Sequence, residues 1–421
     1  MAGPALEAVH ETFGLVESFT RASSSAAATA STYAIPFKPQ PMSVPPISYL
    51  DHAATSPVLP VVLEEMLPWF TSEYGNPSSV YGPGRKARHA LESYRVRVAE
   101  VLGVGPAEIV FTSGGSESNN TVLSRHAGGA GGAVTSSVEH EAVLEPVRRL
   151  ERHRILSPDR EGRMTCAQLE REEVEGYGLA SFMLVNNELG TINPIVQLAE
   201  WCKERGMLFH TDAAQAARTI DLRPVAAGVD YLSLTGHKFG APKGIGLLYV
   251  RAGAPFAPLI RGGGQEQERR SGTENVAFAA GITRALEEAV QSRESFVAHA
   301  HELRAQLLHS LRLALDQGIQ VVSPEEDCSP HILNLLILGK DGKGVDGEML
   351  ILGLDIEGVA VSAGSACSSG TMKVSHVMEA LDIPQDKARG ALRLSFGPQT
   401  TGDDVEQTVR ALTTVVGRMG T

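Results

Sequence analysis

Several short apolar runs in this chain of 421 residues end in a side chain able to do chemistry. Lys238 follows the run Tyr231 to Leu234 within TGHKFG (235–240), where partial desolvation would favour the neutral amine that condenses with a carbonyl. A solvated surface charge is the ordinary alternative for any lysine. Asp212 closes the run that begins at Met207, and a carboxylate there could keep a pyridinium nitrogen protonated and strengthen an electron sink. The simpler reading is a helix N-cap for Ala213 onward. After Ile109 to Phe111 comes TSGGSE (112–117), a turn whose free N–H groups could hold a phosphate. A bland strand-to-helix turn is equally common, and the run is neither a Walker A sequence nor a complete G-x-G-x-x-G. His140 and Asn187 also follow apolar runs and offer an imidazole to lie on an aromatic ring and an amide to bond a ring oxygen. Taken singly, each is more often a capping or core polar group.

Two further residues stand apart. Cys367 lies in SAGSACSSG (362–370), which has no bulky apolar anchor and reads as an exposed loop holding a free thiol. Cys166 and Cys202 read instead as small buried hydrophobes. In LRLSF (392–396) the apolar residues alternate, so Arg393 and Ser395 share the other face of a strand. A guanidinium there could grip a carboxylate through two parallel hydrogen bonds, and a solvent-facing strand arginine is the alternative.

The elements that must position these groups alternate. Ile109 to Phe111, Phe182 to Val185, Met207 to Phe209 and Tyr231 to Leu234 read as strands with helical patterns between them, the mark of an α/β chain with a parallel sheet. A long amphipathic pattern from about Ile282 to Leu315 opens a second unit, with a strand at Ile332 to Leu338, a helix from Gly347 and a strand near Val359. The expected division is a poorly ordered tail over 1–47, a large domain over 63–284, and a smaller α/β domain from 48–62 with 285–421. The tail is rich in Ala, Ser and Pro, and Met42 could serve as an initiator. A net charge of -12 with scattered Lys and Arg argues against nucleic-acid and anionic-membrane partners. Four dispersed cysteines suit a reducing cytoplasm, and no run approaches the ~20 apolar residues needed to cross a bilayer. No metal-ligand pattern stands out.

In order along the chain stand YLDHAATSP (49–57), GNPSS (75–79), FTSGGSES (111–118), VNNE (185–188), HTDAAQ (210–215), GHK (236–238), RSGT (270–273) and SACS (365–368). From Tyr49 to about Thr401 the chain thus resembles the pyridoxal-phosphate (PLP)-dependent cysteine desulfurases, the NifS/IscS-like branch of the class V aminotransferase group. Thr235 stands where serine is frequent, and Ala241 interrupts the usual Tyr-Gly-Pro-Lys-Gly pattern.

The resemblance implies a fold-type I transferase in which Lys238 is the Schiff-base lysine, Asp212 the pyridinium partner and His140 the ring-stacking residue. It further implies that Gln215 and Asn187 bond the ring oxygen and that Gly115, Ser116, Thr235 and His237 hold the phosphate. Thr273 would reach in from the partner subunit of a homodimer. Arg393 with Asn187 would bind the carboxylate of L-cysteine, and Cys367 would take its sulfur as a persulfide for a sulfur acceptor protein such as an iron–sulfur scaffold. His140 is then also the candidate for deprotonating the thiol. Selenocysteine or cystine lyases and small-amino-acid aminotransferases share the cofactor machinery, whereas Cys367 favours sulfur transfer.

Overall fold

The computed structural model describes residues 47–124, 131–363 and 374–419. The expectations for the N-terminal tail and for Cys367 lie outside the described residues. Within them the strands are β1 (Ser48–Tyr49), β2 (Ile109–Thr112), β3 (Ala133–Ser136), β4 (His153–Leu156), β5 (Leu179–Ser181), β6 (Leu208–Asp212), β7 (Tyr231–Thr235), β8 (Gly246–Val250), β9 (Ile319–Val321), β10 (Ile332–Ile337), β11 (Val359–Ala360) and β12 (Ala391–Ser395).

Strands β2 to β8 form one sheet in the order β2-β8-β7-β6-β5-β3-β4. Only β8 opposes its neighbours, and the four pairs from β7 through β6, β5 and β3 to β4 are parallel. The strands β2, β3, β5, β6 and β7 therefore end on one edge, which carries Thr112, Ser136, Ser181, Asp212 and Thr235. Open α/β sheets assemble their ligand sites beyond such an edge. Every residue of β2, β3, β5, β7 and β8 is buried, as expected where helices cover both faces.

Two expected elements differ. The run Phe182 to Val185 lies just beyond β5 rather than in it. Phe182 and Leu184 still donate to the carbonyls of His210 and Asp212, but the N–H of Met183 goes to the Glu139 carboxylate at 2.8 Å instead of to a strand. The long amphipathic pattern is two helices, Val276–Gln291 and Arg293–Leu315, because Ser292 takes a non-helical conformation and its hydroxyl bonds back to the Glu288 carbonyl. The second helix buries Phe296, Ala300, Leu303, Leu307 and Leu311, a single stripe at helical spacing.

That stripe packs on an antiparallel sheet of order β12-β10-β9, where Leu303, Leu307, Leu333, Leu335, Leu392 and Leu394 share one apolar cluster. β1 pairs in parallel with β11, and the chain after it runs as a strap along β12, with Asp51 bridged to Ser395 and the Ala53 N–H donating to the Ser395 hydroxyl. The strap extends the edge of β12, and on the side opposite Leu392 and Leu394 its Asp51 and Ala53 meet Arg393 and Ser395. Arg393 is consequently buried, and the solvent-facing reading of it fails.

Candidate active site

At the end of β7 the chain turns through Gly236–Lys238. A Cβ on Gly236 would lie 2.7 Å from the Ala241 Cβ, so glycine alone fits this turn. Each carbonyl around it is held: His237 by the Ser56 N–H (2.7 Å), Lys238 by the Ser56 hydroxyl (3.2 Å), Phe239 by Arg218 Nη2 (2.7 Å) and Gly240 by the Leu59 N–H (3.0 Å). The strap thereby fixes the backbone of Lys238. The lysine Nζ donates to the carbonyls of Ala53 (2.6 Å) and Ala54 (2.8 Å). Burial, and then the charge of Arg393, push its pKa down to about 8 against the pull of Asp212 and Asp51.

Asp212 faces the same space. Its Oδ2 accepts from Asn119 Nδ2 at 2.7 Å and its Oδ1 from the Ala214 N–H at 2.9 Å. Turns rather than a helix follow it, so it caps no helix. Gln215 Nε2 donates to the Ala53 carbonyl at 2.8 Å, the same oxygen that receives Lys238. His140 caps the helix Glu141–Arg148 by accepting the Ala142 N–H on Nδ1, which leaves the proton of the neutral ring on Nε2. His140 is exposed, yet the protein around it desolvates the ring enough to lower its pKa, although Asp212 opposes the shift.

Along the edge, the helix Gly115–Ser124 presents its N-terminus. A Cβ on Gly115 would sit 3.5 Å from the Thr235 Cβ, so Gly115, Ser116 and Thr235 adjoin. His237 Nδ1 lies 3.3 Å from the Thr55 hydroxyl, and burial with the neighbouring Lys238 and Lys243 lowers its pKa to about 4, which keeps the ring neutral. Thr273 is not drawn in: it is exposed, at a cavity of about 240 Å³ shared with Thr112, Ser113 and Arg270, and no hydrogen bond ties it to Lys238.

Arg393 joins the group from β12. Nη1 donates to the Asn187 carbonyl and Nη2 to Asp51 Oδ1, both at 2.9 Å. Lys238, Asp212, Gln215, His140, Asn187 and Arg393 thus come together through their shared partners and fields. Cys202 is buried as expected, its thiol pushed up to about 12, whereas Cys166 is only half-buried at the start of the helix Cys166–Arg171.

Sequence reasoning missed four groups. Asn119 follows directly on FTSGGSES and could have been sought as a residue of that helix facing the sheet. Asp51 lies within YLDHAATSP, where nothing local marks Arg393 as its partner. Glu139 is fully buried, with Oε1 accepting the Met183 N–H, Oε2 without a partner among the described residues and its pKa well above the usual range because of desolvation. Glu266 begins a run of left-handed residues, Glu266, Gln267 and Glu268, and its carboxylate takes both arms of the buried Arg95 at 2.8 Å. Strained backbone persists only where its surroundings over-determine it, and this ion pair supplies that hold just before Arg270 to Thr273.

A desolvated amine, a carboxylate set by an amide, an open imidazole and a helix N-terminus beside a hydroxyl make a donor set that fits a phosphorylated pyridine aldehyde. Among the described residues no cluster of His, Cys, Asp and Glu could hold a metal ion. The fold and this edge define a class of protein: the model of the aminotransferase class-V family matches residues 48–408, and the chain belongs to that family, which is PLP-dependent. It is 39% identical over 381 residues to the cysteine desulfurase IscS of Dictyoglomus turgidum, covering 89% of this chain and 95% of that one. Within the family it falls in the NifS/IscS-like cysteine desulfurase branch. A solved NifS-like protein superposes with a TM-score of 0.80 at 33% identity, over 88% of this chain and 100% of the other. The structure described as SspA in complex with cysteine gives 0.69 at 31%, over 84% and 99%.

Proposed function

We propose that the protein is a cysteine desulfurase that converts L-cysteine to L-alanine and passes the sulfur to its own Cys367 as a persulfide, for iron–sulfur cluster or other sulfur-cofactor biosynthesis. The observation that carries this reading is the Lys238 amine, desolvated and within the field of Asp212, in a chain 39% identical to a cysteine desulfurase over 89% of its length.

In this reading Lys238 holds PLP, Asp212 keeps its ring nitrogen protonated, His140 stacks on the ring, and Gln215 and Asn187 bond its oxygen. Gly115, Ser116, Thr235 and His237 hold its phosphate, joined by Thr273 of a second copy in a homodimer. Bound there, the cofactor supplies an electron sink for charge developing at the substrate α-carbon. Arg393 and Asn187 take the substrate carboxylate, and Lys238, near neutrality in its buried setting, moves the α-proton. The Cys367 thiolate attacks the substrate sulfur, so that an S–S bond forms as the Cβ–S bond breaks. The Cβ then takes a proton to leave alanine. By resemblance His140 is the candidate to accept the thiol proton, on Nδ1 once that nitrogen gives up the Ala142 N–H. The division at 62/63 and 284/285 belongs to the same proposal, supported by the separate apolar cluster around Leu303, Leu333 and Leu392. No helix among the described residues is long and apolar enough to cross a membrane.

The test is the purified protein with L-cysteine and a thiol acceptor, measuring alanine and sulfide together. Equal amounts of both are expected. Pyruvate or an amino-acid exchange product in place of alanine would reject the reading.

A further inference from the structure

Arg393 is not an isolated cation waiting for an anion. Its Nη2 is bound to Asp51 Oδ1 and its Nη1 to the Asn187 carbonyl, while the buried Nε has no partner among the described residues. The ion pair is mostly buried, with side chains 5% and 18% exposed for Arg393 and Asp51. The backbone that carries the Asp51 carboxylate is held as well: its carbonyl accepts from the Ala54 N–H (3.0 Å) and the Tyr49 hydroxyl (3.1 Å), and it is bridged to Ser395, two residues from Arg393. An incoming carboxylate must use the guanidinium hydrogens that remain, including the one on Nε, with Asp51 still in place.

We propose that Asp51 is a specificity-determining residue: it stays as the resident counter-ion of Arg393, makes the carboxylate subsite neutral overall, and so admits zwitterionic amino acids while rejecting simple anions. The inference rests on the reading of Arg393 as that subsite. An anion lacking an amino group meets the attraction of the guanidinium and the repulsion of Asp51 together. An amino acid brings its own positive charge, which offsets the repulsion from Asp51. A fixed charge within about 4–6 Å shifts such equilibria by roughly 1–3 decades, and the partial exposure of Asp51 places the effect at the low end, about tenfold.

The probes are 3-mercaptopropionate, which is cysteine without its amine, and sulfate, titrated calorimetrically into the cofactor-loaded protein. D51N and the smaller D51S should bind both about tenfold more tightly than the parent, and D51E should bind them as the parent does. A merely structural role for Asp51 cannot produce tighter anion binding. If the anion affinities of D51N and D51S are unchanged or weaker while Arg393→Lys still raises the KM for cysteine, the counter-ion proposal falls and the subsite stands. If Arg393→Lys leaves that KM unchanged, the carboxylate is bound elsewhere and both ideas fall.

Discussion

Attachment of PLP to the cofactor-free protein should rise with pH and level off near pH 9, with a midpoint near 8. The reason is the setting of Lys238, whose pKa is held at about 8 by burial and Arg393. At pH 7 an amine of pKa about 8 is roughly one-tenth unprotonated, against about one part in 3,000 for a lysine at 10.5, so the reactive fraction is about 300-fold larger. Asp212 pulls in the opposite direction, favouring the ammonium form. Asp212→Asn should therefore move the midpoint lower still. The assay mixes PLP with the cofactor-free protein across pH 6 to 10 and follows the absorbance of the attached cofactor, with Lys238→Ala as the control that attaches none. A midpoint close to 10.5, or one that rises in Asp212→Asn, would refute the argument that desolvation sets the reactivity of this amine.

Cys367→Ser should keep the cofactor absorbance and its change on adding cysteine but yield almost no alanine, since a hydroxyl is far less acidic and less thiophilic than a thiol; normal turnover would remove Cys367 from the reaction. Glu266→Gln leaves Arg95 buried and half-paired, and breaking such a pair costs about 3–5 kcal/mol, so its urea midpoint should fall sharply, whereas a surface control, Glu145→Gln, should move little. Sedimentation at micromolar concentration should show a dimer, and an active, PLP-loaded monomer would contradict the role given to the partner's Thr273.

Much of the chemistry was legible without coordinates. Lys238, Asp212 and the TSGGSE turn were found because a parallel sheet puts its reactive groups just after apolar runs, and such runs are a local pattern that composition and spacing expose. The run Phe182 to Val185 misled because its apolar character outlasts the strand: a buried Glu139 carboxylate takes the Met183 N–H that a neighbouring strand would otherwise have bonded. Arg393 was readable as a strand residue, but whether it faced solvent was decided by a strap that begins more than 300 residues earlier, since Asp51 and Arg393 are 342 positions apart. Asn119 and Asp212 are separated by 93 positions, and Glu266 and Arg95 by 171. Sequence periodicity reports which face of an element is apolar. Which polar group meets which across the interior depends on strand order, and only the folded chain, where a buried charge must find a partner, decides it.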